Sequence, residues 1–345
     1  MKTKSIVSAL TIITGCAFAK TIDKAPPTDP EPSDAKVQIA LLLDTSNSMD
    51  GLIEQTKTQL WKVVNTFIDA ERDGVPSYVE VALYEYGNND LHIGTHYIRS
   101  VQPFTRELDE LSSQLFALKT NGGDEYCGAV IQRALADLNW DPSDKTYKAI
   151  FIAGNEPFTQ GPVDPMQACR DAAAKNIVVN TIHCGSRQAG ISGSWHDGAA
   201  ISGGEFMVID QDRAVTHIPA PQDKKISKLG IELNKTYLGY GQQWSAKAAK
   251  QQLADRDAVA NEAAGAAVQR AICKASHNYH NASWDLVDAV REEKLDLSKI
   301  DKSQLPEELR GLTADELKQK VAAAAEKRVA IQKEIAELNR QRSEF

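Results

Sequence analysis

The chain has 345 residues, of which 42% are hydrophobic and 25% charged, a profile that permits two soluble domains and a sizeable core. Its formal net charge of -8 argues against nonspecific binding to nucleic acid, which needs a basic surface to neutralise phosphates.

The amino terminus reads as a targeting segment. Lys2 and Lys4 precede a short apolar run over residues 6–15, and Ala17-Phe18-Ala19 forms an A-x-A cleavage signal. The run is too short to remain as a membrane span. Two processing routes stay open. Cleavage after Ala19 defines a signal peptide over residues 1–19, whereas Ile13-Thr14-Gly15-Cys16 resembles a bacterial lipobox and places a lipid on Cys16. Either route implies an exported bacterial protein, periplasmic or lipid-anchored in the envelope, touching membrane only through that lipid. Residues 20–36 are rich in proline and charge and read as a tether.

Residues 37–43 form a near-continuous apolar strand, as expected of a sheet covered on both faces. Leu52, Ile53, Leu60, Val63, Val64 and Phe67 mark a helix. Strands are predicted over 79–84 and, antiparallel to it, 97–104. Helices follow over residues 108–118 and 128–138, a strand over 148–153, a helix over 165–175 and a strand over 177–183. A short helix ends at 199–203, and the last strand covers 205–209. This alternation predicts an α/β fold, a doubly wound and mostly parallel sheet over residues 37–218.

Residues 224–345 show no convincing strand and predict an all-helical region. The Ala-rich stretch 245–275 reads as one long helix, and another begins at Trp284. Thr313 and Glu316 form a capping box for the last helix. There Leu317, Val321, Ala324, Arg328, Ile331, Ile335, Leu338 and Arg342 recur at alternating spacings of four and three. This heptad-like seam suits packing on its own domain or a homo-oligomeric coiled coil.

Asp44-Thr45-Ser46-Asn47-Ser48 ends the first strand, where doubly wound sheets place their ligand loops. One carboxylate and two hydroxyls within five residues suit a hard cation, for which magnesium takes oxygen ligands and keeps some water. The same residue types also cap helices. A strand of Val, Ile and Leu running into D-x-S-x-S and then a long helix resembles the metal-ion-dependent adhesion site of the von Willebrand factor A family. Residues 198–206 resemble that family's closing helix and strand, so the likeness covers a little over half of the chain.

The resemblance implies that a second loop supplies a threonine and a third an aspartate. Aligned on Gly122-Gly123, Asp124 stands where many members have threonine, as in a subgroup that includes hemicentin-like domains. In the third loop, Asn155 takes the place of the aspartate. The implied site is therefore Asp44, Ser46, Ser48, Asp124 and Asn155, with Thr120, Glu125 and Glu156 as alternates. It keeps two carboxylates while moving one between loops. The cation implied is Mg2+, or Mn2+ or Ca2+, and the implied function is capture of a protein partner through an Asp or Glu side chain. The alternative is a structural or assembly protein whose helices act while a degenerate site is kept as scaffold.

Export makes a disulfide feasible. In this topology Cys127, Cys169 and Cys184 are expected near the same rim, with Cys169–Cys184 the first pairing and Cys127 the competing partner. Cys127 with His183 as base lacks a third orienting group, no Walker pattern occurs, and the histidines show no metal-ligand spacing. The chain is therefore read as a binding protein and not an enzyme. Trp195-His196 could shape the partner surface or belong to the core.

Overall fold

The computed structural model describes residues 35–68, 71–72, 75–209, 219–260 and 265–345. The segment read as a signal, with Cys16, almost all of the stretch read as a tether, and residues 210–218 lie outside the described residues.

The first apolar run becomes β1 (Lys36–Asp44), whose residues from Val37 onward are all buried. Its side chains alternate between two cores. Val37, Ile39, Leu41 and Leu43 enter one, while Ala40 and Leu42 enter the other. Burial on both faces is why the strand is apolar at consecutive positions. α1 (Ile53–Ile68) brings Leu60, Trp61 and Val64 to the first face. A short antiparallel pair, β2 (Glu71–Arg72) and β3 (Val75–Pro76), leads into β4 (Tyr78–Tyr86), which lies parallel to β1. β5 (Ile98–Thr105) returns antiparallel along the edge, as expected.

α2 (Leu108–Ala117) packs beside α1, and α3 (Cys127–Asp137) crosses to the second face. There follow β6 (Tyr147–Gly154), α4 (Pro165–Ala174), β7 (Ile177–Cys184), α5 (Arg187–Ser192), α6 (Trp195–Ile201) and β8 (Phe206–Ile209). The sheet order is β5-β4-β1-β6-β7-β8. After β1 the chain adds β4 on one side and later β6 on the other. The carboxyl ends of β1 and β6 therefore flank the switch point where such sheets bind ligands. α5 was not anticipated: six residues with one buried position leave no periodicity to read.

The cysteine pairing is corrected by the pleat. Cys184 faces the α1 side of the sheet, whereas Cys127 and Cys169 belong to the α3–α4 side. Successive side chains of a strand point to opposite faces, so β7 turns Cys184 away from α4. Cys127, Cys169, Cys184 and Cys273 are all buried free thiols.

The C-terminal region comprises α7 (Asp223–Asn234), α8 (Trp244–Ala260), α9 (Ala266–Ala275), α10 (Leu286–Arg291), α11 (Glu307–Arg310) and α12 (Ala314–Glu344). The single helix expected over 245–275 is two helices, α8 and α9, packed against each other. Gly265 before α9 adopts φ 66°, a backbone state open to glycine. Alanine propensity carried the helical pattern across the break, and tertiary packing overrode it.

The capping box of Thr313 and Glu316 opens α12 as expected. Its seam is occupied within the chain. Leu317 and Val321 pack with Leu286, Val287 and Leu305, while Ile331 and Ile335 pack with Ile226, Leu233 and Val268. Arg328 in the seam pairs at 2.8 Å with both Asp285 and Asp288, and its guanidinium lies 4.1 Å from the centre of the Tyr237 ring. Arg342 pairs with Asp223 at 2.7 Å. The two arginines that interrupt the apolar seam therefore meet carboxylates of the same chain.

The helical region docks on the α1–α2 side of the sheet. Cys273 and Tyr279 share the core of Leu41 and Leu60. Arg270 pairs with Asp109 of α2 at 2.5 Å and with Asp255 of α8 at 2.9 Å. Asn278 donates to the carbonyls of Ile68 and Ser77 and accepts from the Val79 amide. These bonds sit at the amino end of β4, the opposite end of the sheet from Asp44.

Candidate metal centre at the carboxyl ends of the strands

Asp44 closes β1 and is fully buried. Its Oδ1 accepts from the Ser46 amide at 2.8 Å, which fixes the carboxylate at the start of the turn. Its Oδ2 is buried and has no hydrogen-bond partner among the described residues. Burial pushes the carboxyl up to about 7, against the lowering effect of the Ser46 bonds, and the nearby Glu125 and Glu156 add to the rise. Two glycines make room for it. A side chain at Gly87 would meet Oδ1 at 2.8 Å, and one at Gly154 would come within 3.1 Å of Oδ2 and 2.6 Å of the Tyr86 hydroxyl.

The turn after Asp44 brings both serines to the same place. Ser46 Oγ and Ser48 Oγ are 2.8 Å apart, and Ser48 donates to Asn155 Oδ1 at 2.9 Å. Asn155, just beyond β6, returns a bond from Nδ2 to the Ser48 carbonyl at 3.0 Å. The first and third loops thus meet across the switch point.

In the second loop it is the neighbour of the aligned Asp124 that turns inward. Asp124 is exposed and accepts from the Tyr126 hydroxyl at 3.1 Å. Glu125 is the buried one, and Ser46 acts on its carboxylate, opposing the rise that burial imposes. Burial raises the Glu125 pKa, and Glu156 and Asp124 raise it further. Thr120 donates to Asp50 and is engaged there. Glu156 acts on the carboxylates through space, while its carbonyl accepts from Trp195 Nε1 at 2.8 Å. Trp195 is fully buried beneath the rim and is core, whereas His196 beside it is exposed.

A set of residues that the motif did not point to holds the second loop in place. The Asn88 amide donates to the carbonyls of Thr45 and Lys119, and the Asn121 amide N–H donates to the Thr45 carbonyl. Gly123 lies against the backbone of β4, where a Cβ would fall 2.2 Å from the Gly87 carbonyl oxygen. The signal was available in Tyr86-Gly87-Asn88-Asn89, which leaves a buried parallel strand at the same rim as Asp44.

The oxygen-bearing side chains gathered at this rim are those of Asp44, Glu125, Ser46, Ser48 and Asn155. Among the described residues no group of three or more His, Cys, Asp or Glu is gathered for a metal. These five donors instead mix two carboxylates with hydroxyl and amide oxygens, the all-oxygen chemistry that hard cations take. A buried ionisable oxygen without a partner, on the same carboxylate that holds the Ser46 amide, fits a cation there. Cys127, by contrast, has its thiol pushed well above the usual range by burial, the reverse of an activated nucleophile.

Residues 38–194 match the family model of the von Willebrand factor type A domain. No curated protein matches the chain. Among solved structures, the chain is similar to a conserved hypothetical protein, BatB, from Bacteroides thetaiotaomicron. The identity is 16%, over 50% of this chain and 90% of that one, with a TM-score of 0.38. It is also similar to proximal thread matrix protein 1 from the mussel byssus, solved with a zinc-occupied metal-ion-dependent adhesion site. There the identity is 10%, over 52% of this chain and 43% of that one, with a TM-score of 0.37. A third is the pilus adhesin SpaC of Lactobacillus rhamnosus GG in its open conformation, at 15% identity over 52% of this chain and 28% of that one, with a TM-score of 0.39.

Proposed function

We propose that the von Willebrand factor type A domain of this chain is an exported binding module that takes a divalent cation, Mg2+ or alternatively Mn2+ or Ca2+, and captures a protein partner through an Asp or Glu side chain. The observation that carries this reading is the buried, unpartnered Asp44 Oδ2 beside Ser46, Ser48, Asn155 and Glu125. When bound, the cation would supply positive charge and a coordination position for the partner's carboxylate. Asp44 and Glu125 would neutralise it, the two serine hydroxyls and the Asn155 carbonyl oxygen would complete the protein's share, and the Asn88 bonds would keep the second loop in register. Glu125, and not Asp124, is the second-loop donor in this proposal. The chain works by binding and not by catalysis, at the cell envelope.

The test is calorimetric titration of the purified protein with Mg2+ and Mn2+, repeated on Asp44→Ala and in chelator. Saturable uptake lost in the variant supports the reading. No uptake by the parent protein refutes it and leaves the helical region as the acting region of a structural or assembly protein.

A further inference from the structure

A concavity lies away from the rim, where the helical region meets the sheet. A cleft of about 330 Å³ opens between α1, α2, α8 and α9. Its walls carry Trp61 of α1, Phe116 of α2 and Leu253 of α8. Phe116 and Leu253 remain 37% and 45% exposed. α8 places the small side chains of Ala254 and Ala258 along the cleft beside Leu253, which leaves its middle open, while the Arg270–Asp109 pair holds the helices together at its edge. Among the described residues nothing packs between these apolar walls, which therefore forgo dispersion contacts and leave apolar surface in water.

The charges around the cleft are not all matched. Arg270 is paired with Asp109 and Asp255, and Lys250 with Glu110. Asp257 is an exposed acid at the α8 edge with an interaction of its own. Lys62, half-buried on the α1 wall, has no ion pair or side-chain hydrogen bond among the described residues, and burial lowers its pKa. A partly desolvated ammonium beside an apolar cleft is better satisfied by an anion that brings its own apolar body.

We propose that this cleft binds a small amphipathic carboxylate, with an apolar chain of roughly eight to ten carbons against Trp61, Phe116 and Leu253 and its acidic head paired with Lys62. The volume sits at the small end of the ligand-pocket range of about 300–1,000 Å³, which excludes a full phospholipid. The occupant bridges the sheet domain and the helical region, since its walls come from both. This proposal is independent of the cation site.

Decanoate and decanol, which share a chain and differ in the head, serve as probes in calorimetric titrations of the full protein. Lys62→Met keeps the apolar stem and removes the charge; Ala254→Phe keeps the helix and fills the cleft. The expected result is saturable 1:1 binding of decanoate, weakened about tenfold by Lys62→Met with decanol unaffected. Ala254→Phe abolishes binding of both, with both variants matching the parent in far-ultraviolet circular dichroism. The proposal is overturned if the parent binds neither probe, if Lys62→Met leaves decanoate affinity unchanged, or if folded Ala254→Phe binds as the parent does.

Discussion

Replacing Asp44 by Asn separates the needs of the site from those of the fold. The carboxyl is raised from 3.8 to about 7 by burial, so without a cation it works against folding at neutral pH. Between those values the unfolded chain is ionised at this position while the folded chain holds a proton, and stability falls as pH rises. The fall begins near pH 4 and stops above about pH 7. A shift of about three units corresponds to an upper bound of about 4 kcal/mol. Asn keeps an acceptor for the Ser46 amide and carries no charge. In chelator at pH 8 Asp44→Asn should therefore be more stable than the parent by on the order of 1–4 kcal/mol, and the two should converge toward pH 4. With free Mg2+ about 100-fold above its dissociation constant, the parent should gain about 2.7 kcal/mol and the variant almost nothing. Urea unfolding followed by circular dichroism at pH 4, 6 and 8, with and without Mg2+, measures all of this. A variant less stable than the parent at pH 8 in chelator, with the same pH slope, would refute the reasoning.

Glu125→Gln should weaken cation uptake by about tenfold or more in calorimetry, whereas Asp124→Asn, at an exposed residue bonded to Tyr126, should change it by less than about threefold. Gly123→Ala should cost about 1–3 kcal/mol and lower cation affinity, because its Cβ would fall 2.2 Å from the Gly87 carbonyl oxygen; a melt and titration equal to the parent's would contradict this. Arg328→Met should cost about 3–5 kcal/mol in urea unfolding, since it strands Asp285 and Asp288 in the interior. Protein unfolded without reductant should show four titratable thiols from Cys127, Cys169, Cys184 and Cys273, with none of them reactive in the folded state.

Much of the site was legible because strand ends are local. The run from Val37 into Asp44, Ser46 and Ser48 announces both a doubly buried strand and the turn that leaves it, and the matched order of strands and helices places that turn at a switch point. Asn155 could be placed by the same logic at the end of β6. The choice between Asp124 and Glu125 could not. Neighbouring residues in a loop point in different directions, and which one turns inward depends on Gly123 lying against Gly87 and on the Asn88 bonds between loops.

The same division runs through the helices and the cysteines. The spacing in α12 established which face is buried, but two arginines in that face left its partner open. Tertiary structure supplied Asp285, Asp288 and Asp223 from the same chain. Composition alone read α8 and α9 as one helix, because alanine favours helix wherever packing allows it and carries no instruction about where to stop. The export expected from the amino-terminal sequence made a bond between Cys169 and Cys184 chemically reasonable; the pleat of β7, which sends Cys184 through to the other face of the sheet, decided against it. Local periodicity and turn chemistry are written in neighbouring residues. The contacts that turn one loop carboxylate inward, break a helix or keep thiols on opposite faces join residues tens to hundreds of positions apart, and only the folded chain brings them together.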